Sequence, residues 1–77
     1  MNAKRRKEIT NCLESIADQL TRLQELKEDE RDYLDNVPEN LQSSEHYEKS
    51  DKLYYELEGA IESLENAVDE LEEATNN

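Results

Sequence analysis

From Ile9 onward the large apolar residues fall at Ile9, Leu13, Ile16, Leu20 and Leu23, in steps of four, three, four and three. A β-strand turns over every two residues and would scatter this set across both its faces, whereas an α-helix lines it up along one stripe. A second stretch, Tyr54, Leu57, Ile61, Leu64, Val68 and Leu71, repeats the same alternation. Two helices, each carrying one heptad seam, are the predicted content of the chain.

The first helix is predicted from about residue 3 to about residue 35, with its pattern interrupted at Lys27 and Glu30 and resumed at Leu34. Between the stretches lies Asn36-Val37-Pro38-Glu39-Asn40-Leu41-Gln42-Ser43-Ser44. Proline lacks a backbone donor and restricts the residue before it, and Asn and Ser favour turns and caps. Residues 36–44 are therefore predicted to be a hairpin connection, with Ser43 or Ser44 as N-cap of a second helix running from about 45 to about 74. Glu45 and Glu48 in its first turn complement the helix dipole.

With one glycine and one proline in 77 residues, a many-stranded β fold would lack its turns. The expected fold is all-α, a single domain over 1–77 forming an antiparallel two-helix hairpin. Simple opposition then pairs Ile9 with Leu71, Leu13 with Val68, Ile16 with Leu64, Leu20 with Ile61 and Leu23 with Leu57, each pair summing to 80 or 81. That register sets Lys27 beside Tyr54 and Glu30 near Ser50 and Asp51, a polar layer near the loop, with Leu34 and Tyr47 closing the end and Tyr33, Tyr47 and Tyr54 capping the core.

The flanks of the seam differ. One carries Cys12, Gln19, Leu26 and Tyr33 facing Leu53, Ala60, Ala67 and Ala74; the other carries Thr10, Ala17, Gln24 and Arg31 against Asp51, Glu58, Glu65 and Glu72. A two-helix hairpin leaves the first, apolar flank open. Self-association through Cys12, Leu26, Leu53, Ala60, Ala67 and Ala74 into a four-helix bundle, as a symmetric homodimer, is the expectation.

Charge is segregated along the chain. Lys4-Arg5-Arg6-Lys7 holds four of the nine bases, and from residue 53 onward there are eight acids and no base. Antiparallel pairing brings these ends together, where they offset one another. The rest of the molecule, with five bases against twenty-one acids, repels phosphate, so direct nucleic-acid binding by the basic arm is not expected. The acidic stripe Glu58, Glu62, Glu65, Asp69 and Glu72 admits two readings. It is a solvated face that keeps the chain soluble, or the two helices present a rod of regularly spaced carboxylates, roughly resembling a duplex backbone, that occupies the basic groove of a nucleic-acid-binding protein. At the loop end, Tyr55 and Tyr47 are candidate contact residues for the second reading.

No catalytic constellation is visible. His46 is the only histidine, Cys12 the only cysteine, and neither a phosphate-binding loop nor a nucleophile motif occurs. The expectation is a non-enzymatic protein without metal or cofactor. The lone cysteine points to a reducing interior, and the basic N-terminus is followed by an amphipathic pattern and not by the apolar run of a signal peptide or membrane anchor.

The segment from Asp32 through Glu45, with Glu48-Lys49 following, the opening Lys4-Arg5-Arg6-Lys7-Glu8-Ile9 and the closing Leu/Ala/Glu repeats together resemble a group of very small acidic proteins of phages and mobile elements of Gram-positive bacteria. The resemblance implies a bacterial cytoplasm and stoichiometric binding to a host protein, including those of host defence systems. It carries no residue roles with it. Two functions thus stand open: an inhibitor or modulator that binds a host protein through the acids of the second helix, and a self-associating coiled-coil accessory protein with no charged target.

Overall fold

The computed structural model describes residues 2–76. Helix α1 spans Ala3–Asp35, a short 3-10 turn Glu39–Leu41 crosses the connection, and helix α2 spans Glu45–Asn76. The two helices fold back on one another as an antiparallel hairpin, a rod of 60 × 15 × 13 Å. Residue 74 was the expected end of α2; the helix continues to Asn76, where Thr75 returns its hydroxyl to the Leu71 carbonyl at 2.7 Å.

Each helix end is closed by local polar chemistry. The Asn2 side chain accepts a hydrogen bond from the Arg5 amide at 2.8 Å and so satisfies one of the free donors of the first turn of α1. At the other end, Asn36 donates its side-chain amide to the Asp32 carbonyl at 2.7 Å. Beyond it, the Leu41 amide bonds the Pro38 carbonyl at 2.8 Å and the Gln42 side chain donates to the Val37 carbonyl, which folds the connection back on itself. Ser44 is the N-cap residue of α2: its hydroxyl accepts from the Tyr47 amide at 3.2 Å.

The helices meet along one half of the predicted seam. Heptad positions a (Leu13, Leu20, Leu34; Tyr54, Ile61, Val68, Thr75) supply the buried residues among those described. Positions d (Ile9, Ile16, Leu23; Leu57, Leu64, Leu71) are only half-buried or exposed, with Ile16, Leu64 and Leu71 at 36, 43 and 44%. The contact is thus rotated toward a and its polar flank, and away from d.

Direct opposition at sums of 80 or 81 is corrected as well. The two cross-helix polar contacts, Gln24 with Glu65 and Arg31 with Asp51, have residue numbers summing to 89 and 82, which bracket a register near 85. Relative to the expected pairing, α2 is slid by about four residues, or ~6 Å at ~1.5 Å per residue. Leu13 consequently lies between Val68 and Thr75, and Leu20 between Ile61 and Val68, in the core cluster. The physical reason is that a knob packs into the space between two residues of the facing helix and not on top of one.

Leu34 is fully enclosed at the loop end, with Tyr54 buried and Tyr47 half-buried. Tyr33 does not cap this end; it is 51% exposed, on the apolar flank. Gly59 faces open space, with nothing within 4 Å of where a Cβ would stand.

Two stability changes of opposite sign follow, both read by urea unfolding monitored by circular dichroism. Leu34→Ala removes the best-enclosed side chain and costs ~2–5 kcal/mol, and Gly59→Ala, at an open helical site, adds about 1 kcal/mol.

Candidate functional site

Because the seam is rotated, the hairpin has two chemically distinct long faces. On one side lie the residues that follow the buried positions, and on the other the d positions with their apolar flank.

The first side gathers Glu58, Glu62, Glu65, Asp69 and Glu72 of α2, which recur at steps of four, three, four and three and so share one face. Glu65 accepts a hydrogen bond from Gln24 across the helices, and Glu72 lines a shallow groove with Thr10, Glu14 and Ala17 of α1. Nearer the loop a second groove is lined by Lys27, Glu58, Ile61, Glu62 and Glu65. Here the Lys27 side chain is 19% exposed, and its ammonium stands 3.7 Å from the Glu28 carboxylate. Glu14 and Glu28 thus extend the acidic face onto α1. These two were not among the expected site residues, although each follows a seam position directly and could have been read from that offset.

The loop end of this face is organised by Arg31. Its guanidinium lies 5.0 Å over the Tyr54 ring, 3.0 Å from Asp35 of its own helix and 3.7 Å from Asp51 of the other. Burial alone would lower its pKa, but the hydrogen bond and charge of Asp35, with Tyr55 and Asp51, hold it above the usual arginine value. The group stays charged and links both helices through a cation–π contact and an ion pair. In the polar layer expected near the loop, Asp51 is met by Arg31, and Glu30 and Ser50 are half-buried.

Tyr55 is 59% exposed and packs edge-on against Tyr54, with ring centroids 5.2 Å apart. It falls on the acidic side, so the aromatic and acidic candidate contacts share one surface. Tyr47 is different: half-buried in the seam at the loop end, it is only partly available to a partner.

The opposite side carries the exposed residues Ile16, Leu26, Leu53, Leu64 and Leu71, and Ile16 and Leu64 line an apolar groove with Gln19, Leu20 and Leu23. Ala60, Ala67 and Ala74 are exposed on α2 and Cys12 is an exposed free thiol on α1. All six predicted self-association residues therefore lie at the surface of the single chain.

Of the basic cluster, Lys4 to Lys7, no member forms an ion pair among the described residues. The remaining ion pairs, such as Arg22–Glu25 and Lys49–Glu45, are solvent-exposed pairs within one helix and contribute little. His46 is exposed in the first turn of α2. Among the described residues no group of three His, Cys, Asp or Glu side chains could hold a metal ion, and no helix is long and apolar enough to cross a membrane.

Comparison with known protein families, curated proteins and solved structures finds no match for this chain.

The geometry at Tyr54 links one phenol to the stability of the fold. Burial of the phenol, reinforced by Glu58 and opposed by Lys27, raises its pKa above the ordinary 10.0. The neutral phenol is therefore favoured in the folded chain, and this contribution is present below pH 10.0 and lost as pH rises through the raised value. Thermal melts from pH 8 to about 11.5 are expected to show a steeper loss of stability in the native chain than in Tyr54→Phe. Parallel curves would show that the phenol at this position is not linked to folding.

Proposed function

We propose that the protein acts by stoichiometric binding and not by catalysis, presenting its acidic face to a basic surface on a partner protein. The observation that carries this reading is the placement of Glu58, Glu62, Glu65, Asp69 and Glu72 on one face, continued by Glu14 and Glu28 and ending at the exposed Tyr55.

Charge spacing narrows the kind of surface. From Glu58 to Glu72 the rise is about 21 Å at ~1.5 Å per residue, or one carboxylate every ~5 Å. A single nucleic-acid strand carries a charge every ~3.4 Å and a duplex one every ~1.7 Å. The face therefore comes nearer to one backbone than to a duplex. It suits a basic groove that tracks a single strand or one side of a helix, where a competing carboxylate row occupies the groove and an aromatic ring anchors one end. Steering by net charge −12 would make the encounter fast and sensitive to salt. The likeness to small acidic phage proteins adds a context, in which the partner is a host nucleic-acid-binding or defence protein.

A second reading, an accessory protein that only self-associates, is favoured by a separate observation: the exposed apolar face. The two differ in what charge reversal does.

The test is a tagged pull-down from bacterial lysate at ~0.1 M and ~0.5 M salt, between which screening shortens from about 10 Å to a few Å. Capture of a basic protein at low salt, its loss at high salt, and its loss in the triple variant Glu62→Lys, Glu65→Lys, Asp69→Lys are the expected results. Capture undiminished by charge reversal would contradict the acidic-face reading, and recovery of the chain alone would favour the accessory one.

A further inference from the structure

The face opposite the acids has no role in that reading. The isolated hairpin leaves Leu26 42%, Leu53 60%, Leu64 43% and Leu71 44% exposed along it. An apolar strip running most of the length of a small, highly charged chain is a surface that water disfavours. We propose that it is closed by a second copy of the chain, related by a two-fold axis parallel to the rod. α1 of each copy then packs on α2 of the other, and both loops lie at the same end of a four-helix bundle.

The first argument is size. The long face measures 60 by 15 Å, a footprint of about 900 Å² by simple multiplication, against ~800 Å² per partner in a stable interface of standard size. A second rod of equal length covers that strip from end to end.

The second is charge. Between Ile9 and Ala74 the d positions and the flank running from Cys12 to Tyr33 on α1 and from Leu53 to Ala74 on α2 hold one carboxylate, that of the half-buried Glu30, whereas the other long face is lined with carboxylates. Two chains of net charge −12 can approach closely with fewest opposed charges on this side. The same arrangement leaves both acidic faces pointing outward, on opposite sides of the bundle.

The third is volume, and it selects the axis. With the hairpin register near 85, a parallel two-fold sets Cys12 opposite the partner's Ala74, Gln19 opposite the partner's Ala67 and Leu26 opposite the partner's Ala60. Three of the four α1 residues on this flank thus meet an alanine, which keeps the helix spacing even along most of the rod, and the fourth, Tyr33, meets the partner's Leu53 near the loops. A two-fold perpendicular to the rod would set alanines against alanines and large residues against large ones. The helices would then splay on one side and crowd on the other.

Salt separates this proposal from the proposed function. Screening relieves repulsion between two acidic chains, so self-association strengthens with ionic strength, while capture of a basic partner weakens. Sedimentation equilibrium at tens of micromolar is expected to give twice the 9.0 kDa chain mass, with the dimer tighter at ~0.5 M than at ~0.1 M salt. Ala67→Glu, exposed in the single chain and helix-compatible, is expected to return the monomer mass with unchanged helicity. The axis is read from a nitroxide at Ser43→Cys in a Cys12→Ser background. With both loops at one end, helix spacings of ~8–10 Å place the two labels within about 30 Å, label arms included. A strictly monomeric mass overturns the proposal, as does a monomer–dimer balance indifferent to Ala67→Glu. A label separation near the 60 Å rod length overturns the parallel axis.

Discussion

The interleaved contact of Leu13, Leu20 and Leu34 with Tyr54, Ile61, Val68 and Thr75 is the constraint on which everything else rests. These seven side chains, spaced at seven residues except where the half-buried Lys27 stands between Leu20 and Leu34, define the line along which the two helices touch. Their orientation decides what every other residue faces. Because the line runs through the a positions and leans toward the flank bearing Gln24 and Arg31, polar side chains bridge the helices on that side. The d residues are turned out on the other. A small rotation about the helix axes thus converts one amphipathic seam into two long faces of opposite chemistry.

The price of that arrangement falls on electrostatics. Acids at the C-terminal end of α2 and bases at the N-terminal end of α1 each oppose their own helix dipole. Antiparallel pairing sets the unfavourable ends next to each other, where their opposite signs offset. At the loop end the compensation is local and more directional: Arg31 serves Asp35, Asp51 and the Tyr54 ring together, at a point where the core narrows to Leu34 and the tyrosines. Arg31 thereby ties the two helices together at the loop end.

Much of this was legible in the sequence. The steps of three and four demanded helices, and the Pro38 region with Ser44 demanded a single connection. The difference between the flanks was also plain, since Thr10 and Ala17 do face Glu72, Gln24 faces Glu65 and Arg31 faces Asp51 across the helices. Register and rotation were not legible. A heptad pattern says that a and d lie near the partner, but not how the pair shares the contact. Only knob-into-hole packing and the reach of Gln24 and Arg31 determine that Leu13 sits between Val68 and Thr75. The exposure of Tyr33 follows from the same rotation, because it belongs to the flank that turned outward. Glu14 and Glu28 join the acidic face because each directly follows a seam position of α1, and the rotation toward that side turns both onto it.

One rotated seam gives the hairpin an acidic face and an apolar face, and the proposed function assigns a basic partner to the first alone. The most direct measurement is an amide-resolved NMR titration with a short oligolysine as a basic probe, at low and at raised salt. Shift changes are predicted along Glu58, Glu62, Glu65, Asp69 and Glu72, extending to Tyr55 and Glu28 and fading with salt. Changes centred on Leu53, Ala60, Ala67 and Ala74, or spread evenly around both helices, would contradict the account.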